Sequence, residues 1–328
     1  MSHADLTLVV PAYNERDNVR PFLDELSRAL AGRDERIEVL FVDDGGSDGT
    51  WDEVVAVARS WDDGRVVVRG MSFSRNFGKE AAMLAGLEAA RGDCLCIIDA
   101  DLQQPPAVAL EMYDLLLASP EYECVAACQR ERRQGGPVGA LSSAFYRLLG
   151  SASGMEVLQD ASDFRVFRRC VADAIVSLPE YHRFSKGLFA WVGFRTLPFP
   201  YVPEERRAGK SAWGLRGLVS YAWEGIVSFS TAPLHAVLAF GIVCAVLALA
   251  MLLVTVVKRV ALGVDTPGYA TIVTLILFFG GAQLVAIGLV GEYVARTYVQ
   301  SKRRPVYLVR DSVSSETSDD EPEGGETR

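Results

Sequence analysis

Cys94-Leu95-Cys96-Ile97-Ile98-Asp99-Ala100-Asp101-Leu102-Gln103 is an apolar run that stops at two carboxylates one residue apart. Five apolar residues with no polar face read as a strand buried on both sides, the kind found inside parallel sheets. Two acids at the end of such a strand concentrate negative charge, which is costly without a cation or a partner. Mg2+ or Mn2+ suits such a place, because hard cations take carboxylate and amide oxygens and keep positions open for a substrate phosphate. A helix-capping turn ahead of Pro105-Pro106 is the other reading, and these residues alone leave both open.

Outward from that strand, the chain alternates strand-like and helix-like segments. Strands are predicted at Leu6 to Val10, Ile37 to Val42, Val66 to Phe73, Cys94 to Ile98 and Tyr122 to Cys128. Helices are predicted at Asn18 to Leu30, Gly49 to Arg59, Lys79 to Ala90 and Pro106 to Leu117, the last with proline in its first turn. This alternation predicts an α/β domain with a mostly parallel sheet covered on both faces, whose ligands bind at the carboxyl ends of the strands. Polar clusters fall there: Pro11 to Glu15, Asp43-Asp44-Gly45-Gly46, and Asp99 to Gln103. Asp48-Gly49-Thr50 reads as a turn and cap. No Gly-x-Gly-x-x-Gly follows the first strand, which disfavours a dinucleotide oxidoreductase.

Half of the 328 residues are hydrophobic and mean hydropathy is +0.16, an excess gathered near the C-terminus. Ala232 to Val257 and Tyr269 to Gly291 are long, uncharged and apolar, each sufficient to span a bilayer. Gly280-Gly281 and Gly288-x-x-Gly291 permit close helix packing, within the hairpin or between copies. Leu215 to Phe229 has an apolar face suited to the membrane interface or to packing on the globular domain. Arg206, Arg207, Lys210 and Arg216 precede the spans and Arg296, Lys302, Arg303 and Arg304 follow, against Lys258 and Arg259 between them. That asymmetry predicts both ends in the cytoplasm. The absence of a signal peptide ahead of Leu6 agrees with it.

Net charge is −9, but residues 311–328 hold seven acids and one base, leaving −3 for the rest. A nearly neutral body argues against a nucleic-acid binder, which would show a basic field. The Ser-, Thr- and acid-rich tail is expected to be disordered. The six cysteines form no metal pattern and read as buried small hydrophobes, reduced in the cytoplasm.

Three motifs carry a resemblance. Val10-Pro11-Ala12-Tyr13-Asn14-Glu15, Val42-Asp43-Asp44-Gly45 with Ser47-Asp48-Gly49-Thr50, and Asp99 to Gln103 with Pro105-Pro106 resemble the family 2 glycosyltransferases of the GT-A (Rossmann-like) fold. Ser74-Arg75-Asn76-Phe77-Gly78-Lys79-Glu80, Asp163-Phe164-Arg165, His182-Arg183-Phe184 and Trp191 to Arg195 narrow it to the polyprenyl-phosphate glycosyltransferases. That group includes bactoprenol glucosyltransferases and, more distantly, dolichol-phosphate mannose synthase. The resemblance spans roughly residues 5 to 305. It implies inverting transfer of a hexose from a nucleotide sugar to a polyprenyl monophosphate, with UDP-glucose favoured and another UDP-hexose or GDP-mannose as alternatives.

The resemblance also implies roles. Asp101 and Gln103 hold the metal, Mg2+ or Mn2+, on the donor diphosphate, and Asp99 supports the metal or the sugar. Pro11, Tyr13, Glu15 and Asp44 line a nucleoside pocket, with Lys79 on the substrate side. Arg130 meets the acceptor phosphate, assisted by Ser142. Arg207, Gly209 and Ser211 close over the phosphates. Asp163 orients groups or couples to the metal and Arg165; a general base and a structural salt bridge to Arg165 or Arg168 are the alternatives. Gly46 departs from the family's usual Ser, and Val138-Gly139-Ala140 stands where relatives carry a basic pair, with Arg132 or Arg133 as substitutes. The expected organisation is a cytoplasmic GT-A domain over 1–214, an interfacial helix over 215–231, a two-helix transmembrane hairpin over 232–295 and a cytoplasmic tail over 296–328. Copies are expected to associate as homo-oligomers. A processive polysaccharide synthase would carry Gln-x-x-Arg-Trp, which is absent, and three acid-bearing strand ends argue against a silent membrane scaffold.

Overall fold

The computed structural model describes residues 4–129, 161–202, 232–262 and 268–315. Its strands are β1 (Leu6–Ala12), β2 (Ile37–Asp43), β3 (Val66–Phe73), β4 (Cys94–Ile97), β5 (Cys124–Gln129), β6 (Ala161–Arg168), β7 (Thr196–Tyr201) and β8 (Val309–Ser314). Among the described residues these make one sheet in the order β7-β5-β6-β4-β1-β2-β3-β8. The sheet is mixed and mostly parallel: β1 runs parallel to β2 and β4, β2 to β3, and β5 to β7. The antiparallel pairs are β3 with β8, β4 with β6, and β5 with β6. Every residue of β2 and β4 is buried: β4 is an unbroken apolar run, while in β2 the carboxylates of Glu38 and Asp43 are buried with partners, Glu38 with Thr7 and Arg69 and Asp43 with Ser72.

Helices cover both faces. On one face, α1 (Arg16–Ala29), α2 (Thr50–Ser60) and α4 (Pro106–Ala118) bury Phe22, Val54 and Met112 against Leu8, Val10 and Val39. On the other, α3 (Lys79–Ala89), α5 (Arg169–Val176) and α6 (Ser185–Trp191) pack Met83, Val171 and Phe189 around Val9, Leu95 and Ile97. The alternation of Leu8 and Val10 against Val9 is the two-residue period of a strand. α3 lies so close to β1 that a Cβ at Gly86 would come within 2.2 Å of the Val9 side chain.

Two long helices follow, α7 (Ala232–Leu262) and α8 (Tyr269–Ser301), in contact through Phe240 and Phe278, edge to face at 6.4 Å. Their apolar stretches, Pro233–Met251 and Phe278–Ser301, have mean hydropathies of 2.5 and 1.4, with none of either stretch buried. Both are long and apolar enough to cross a membrane. A Cβ at Gly280, Gly281, Gly288 or Gly291 would meet nothing within 4 Å, so among the described residues these glycines do not serve close packing within the hairpin.

Two expectations need correction, and one strand falls where none was predicted. Residues 311–315 are not a disordered tail, because β8 pairs antiparallel with β3, with Val313 packed on the core. The segment around residues 161–168 is a strand inserted antiparallel between β4 and β5. Cys170 is exposed, whereas Cys94, Cys96 and Cys124 are buried, and burial pushes the Cys94 thiol up to about 11. The expected interfacial helix over 215–231 lies outside the described residues.

Candidate active site

The carboxyl ends of β1, β2 and β4 open on one side of the sheet, and the loops that follow them interlock. After β1, Asn14 adopts a left-handed φ of 57°, and its side-chain oxygen accepts the Ser47 N–H at 2.9 Å. Asp48 caps both neighbouring helices, accepting the Arg16 N–H at 3.1 Å with one oxygen and the Thr50 N–H at 2.9 Å with the other. Burial works against ionisation of Asp48, but the Thr50 hydroxyl and these N–H groups outweigh it and hold its pKa below the usual carboxylate range. The reading of Asp48 as a turn and cap residue is what this geometry gives. Pro11 is half-buried, and Tyr13 stands 50% exposed above the strand ends. Glu15 donates its N–H to Thr50 Oγ1 at 2.9 Å and accepts the Asn18 amide at 2.5 Å, so it joins α1 to α2.

Asp44 is buried, and its oxygens accept the N–H groups of Phe77 and Gly78 at 2.6 and 2.9 Å. Burial pushes its pKa up, and those two N–H groups oppose the rise. The structure thus gives Asp44 a task apart from any nucleoside contact: it fixes the residues that start α3. Gly78, at φ 97°, then turns the chain so that Lys79 is the first residue of that helix.

Lys79 joins the site together. Its ammonium lies 2.6 Å from Asp99 Oδ1 and 3.8 Å from Asp163 Oδ2. Burial would pull its pKa down, but Asp99 and then Asp163 outweigh that and hold it above the ordinary lysine range. Burial likewise raises Asp163, yet Lys79, Lys186 and Arg165 overcome it and the net shift is downward. Arg168 is spent elsewhere, on the carbonyls of Tyr122 and Leu116 at 3.2 and 3.0 Å. Arg165 is 5% exposed, with its guanidinium 4.1 Å over the Phe189 ring and a hydrogen bond to the Ser162 carbonyl. From that position it reaches the strand ends through its charge on Asp163.

The turn after β4 is pinned by a residue that sequence reasoning missed. Gln104 accepts the Asp99 N–H at 2.9 Å and donates to Asp99 Oδ2 at 3.2 Å, so Asp99 is clamped between Gln104 and Lys79. A second glutamine directly before Pro105 was the available signal. Leu102 takes φ 61° with its side chain buried in the core, a backbone state costing roughly 1–3 kcal/mol that packing maintains. The result is that Asp101 and Gln103, both half-buried, share one turn, with Asp101 Oδ1 accepting the Gln103 N–H at 3.1 Å. Among the described residues no three His, Cys, Asp or Glu gather as a closed metal cage. One or two carboxylates and an amide form the donor set of a cation whose shell a phosphate completes, so Asp101 and Gln103 fit Mg2+ or Mn2+. Arg130, Ser142, Arg207, Gly209 and Ser211, with Val138 to Ala140 and Arg132 and Arg133, lie outside the described residues.

Comparison with known proteins matches this architecture in two parts. Residues 232–297 match the GtrB C-terminal hairpin. An uncharacterized glycosyltransferase of Synechocystis is 38% identical over 94% of this chain and 95% of its own. The bactoprenol glucosyl transferase of Shigella phage SfV is 35% identical over 93% of this chain and 98% of its own. Among solved structures, mannosyl-3-phosphoglycerate synthase from Rubrobacter xylanophilus aligns at a TM-score of 0.48 and 22% identity, covering 68% of this chain and 72% of that one. Residues 7–175, which hold the interlocked strand ends from Tyr13 to Asp163, match the model of glycosyl transferase family 2, and the chain belongs to that family.

Proposed function

We propose that the protein transfers a hexose, glucose in the first instance, from UDP-glucose to a polyprenyl monophosphate at the cytoplasmic face of the cell membrane. The observation that carries this reading is the union in one chain of a family 2 domain and a GtrB hairpin, over nearly the full length of a bactoprenol glucosyl transferase. The basic residues flanking the hairpin favour a cytoplasmic catalytic domain.

In the proposed reaction an acceptor phosphate oxygen attacks the anomeric carbon from the face opposite the nucleotide. A new C–O bond forms as the bond to the diphosphate breaks, and UDP leaves with the electron pair. A divalent cation held by Asp101 and Gln103 would supply Lewis-acid stabilisation of that leaving group. Asp99, held by Lys79 and Gln104, supports that turn, while Pro11, Tyr13 and Glu15 line the nucleotide's end of the crevice. The acceptor needs little base catalysis, since a phosphate monoester with a second pKa of about 6 is largely dianionic at neutral pH. Arg130, Ser142, Arg207 and Ser211 are proposed to meet the phosphates. Self-association through the glycines of α8 belongs to the same proposal.

Membranes containing the protein, given undecaprenyl phosphate and labelled UDP-glucose, UDP-galactose or GDP-mannose in turn, should place label in the extracted lipid, most from UDP-glucose. Asp101→Asn should abolish the signal while the protein stays folded in the membrane. Undiminished transfer by that variant would sink the metal assignment, and label from GDP-mannose alone would replace the donor.

A further inference from the structure

We propose that the segment after the membrane hairpin is a working part of the donor site, in which Arg310 on β8 acts through Ser72 to hold Asp43 and the turn that follows β2. This rests on the reading of the β1, β2 and β4 ends as the nucleotide site.

The link can be followed atom by atom. Arg310 Nη2 donates to Ser72 Oγ at 3.1 Å, and Ser72 in turn donates its hydroxyl proton to Asp43 Oδ2 at 2.7 Å. The other Asp43 oxygen accepts the Gly46 N–H at 3.0 Å. Ser72 and Asp43 are buried, at 0% and 1% exposure, so their half of the relay is shielded from water, while the half-exposed Arg310 also pairs with Asp311 at 2.9 Å. The turn it holds is where three loops meet. A Cβ at Gly46 would lie 3.1 Å from both Asn14 Oδ1 and Asp43 Oδ1. A Cβ at Gly45, where φ is +67°, would lie 2.5 Å from the Arg75 backbone. A displaced Asp43 therefore moves the Tyr13–Asn14 loop, the β2 turn and the approach to Lys79 together.

β8 is delivered to that edge by fixed contacts. At the end of α8, the Gln300 amide donates to the Pro179 carbonyl at 2.6 Å and accepts the Tyr181 N–H at 2.7 Å. Tyr307 then stacks on Phe73, ring centroids 5.0 Å apart, and hydrogen-bonds Glu88. Ser74 donates to the Leu308 carbonyl and Ser315 to the Val68 carbonyl, at 3.0 and 2.9 Å, at the two ends of the ladder. The membrane helix thus hands its continuation to the donor site, and Arg310 is a positioning residue there, without contact to the reacting atoms.

The test uses the full-length protein in phospholipid vesicles, as wild type, Arg310→Ala, Arg310→Lys and Ser72→Ala. Calorimetry measures binding of UDP and of GDP, each with Mg2+, and steady-state transfer gives KM and kcat for UDP-glucose. Arg310→Ala and Ser72→Ala should each weaken nucleotide binding and raise the donor KM about tenfold, as expected for losing one hydrogen bond to a charged group. Saturated kcat should change less than about twofold, because the acceptor side is untouched. Arg310→Lys should recover part of the affinity. Hydrogen exchange at residues 69–73 shows whether β8 stays paired in Arg310→Ala. Where it does not, Ser72→Ala decides, since it cuts the relay within β3. Nucleotide affinity and KM within twofold of wild type in both alanine variants overturn the proposal. Absent lipid transfer with intact, Arg310-dependent nucleotide binding overturns the functional reading instead.

Discussion

Replacing Lys79 with Met removes the charge that joins the β4 turn to β6 while keeping the aliphatic stem. In the structure that charge lies 2.6 Å from Asp99 and 3.8 Å from Asp163. A hydrogen bond to a charged group contributes ~1.5–3 kcal/mol. The Lys79 side chain is 43% exposed, so screening argues for the lower part of that range, and the longer contact adds little. A loss of about 2 kcal/mol corresponds to roughly 30-fold in rate. The assay is steady-state transfer from labelled UDP-glucose into extracted lipid by full-length protein in vesicles. kcat should fall roughly 30-fold, with donor KM altered less than about threefold, because in the proposed reaction the carboxylates that Lys79 orders flank the reacting sugar. Lys79→Arg should regain part of the loss. Lys79→Met combined with Asp163→Asn should lose no more than the worse single variant, as expected for residues acting as a unit. Transfer by Lys79→Met within about threefold of wild type would refute the reasoning, as would fully additive losses in the double variant.

Asp48→Ala should cost about 1–2 kcal/mol by uncapping α1 and α2 together, read from thermal or denaturant melts. Because the folded-state pKa of Asp48 lies below its ordinary 3.8, its contribution is present above that value and lost as pH falls through the lowered one. The gap between wild type and Asp48→Ala should therefore narrow below about pH 4, and a gap that stays constant there would refute the assignment. Gly86→Ala should destabilise by about 1–3 kcal/mol through overpacking, more than the ~1 kcal/mol that alanine gains in a helix, because Val9 is fully buried 2.2 Å away. Gly64→Ala, with nothing within 4 Å, is the control and should be near neutral in the same melts.

The half of the catalytic domain that was legible in sequence is the half with continuous apolar strands and periodic helices. β3 falls at Val66 to Phe73 as read, and α4 begins at Pro106 because proline suits a first helical turn. β6 was illegible because Ser162, Asp163, Arg165 and Arg168 break its apolar run, and their polarity is resolved only by partners distant in sequence. β8 was illegible for the opposite reason. It is an exposed edge strand in an acidic tail, and it exists because β3 offers unpaired backbone groups. At the site, the acids could be named from their strand-end positions. Their division of labour could not: that Asp44 is occupied by Phe77 and Gly78, or that Asp99 and Asp163 share Lys79, depends on contacts between segments 20 to 84 residues apart.

The state of Asp163 bears on how such a site works. A general base needs a proton affinity near that of the group it deprotonates, which for carboxylates requires an environment that raises the pKa. Burial pushes Asp163 that way, but Lys79, Lys186 and Arg165 overcome it and leave the pKa below the ordinary value. The surrounding charges therefore make this carboxylate a weaker base and a better fixed anion. That is a poor arrangement for activating a hydroxyl acceptor. It suits an acceptor that arrives already ionised, for which the task is to keep cationic side chains oriented while two anions approach. With a phosphate monoester as acceptor, the lowered Asp163, the lysine bridge to Asp99 and the proposed cation turn at Asp101 form one consistent electrostatic design, in which Asp163 orders Lys79 and no proton need leave the acceptor during transfer.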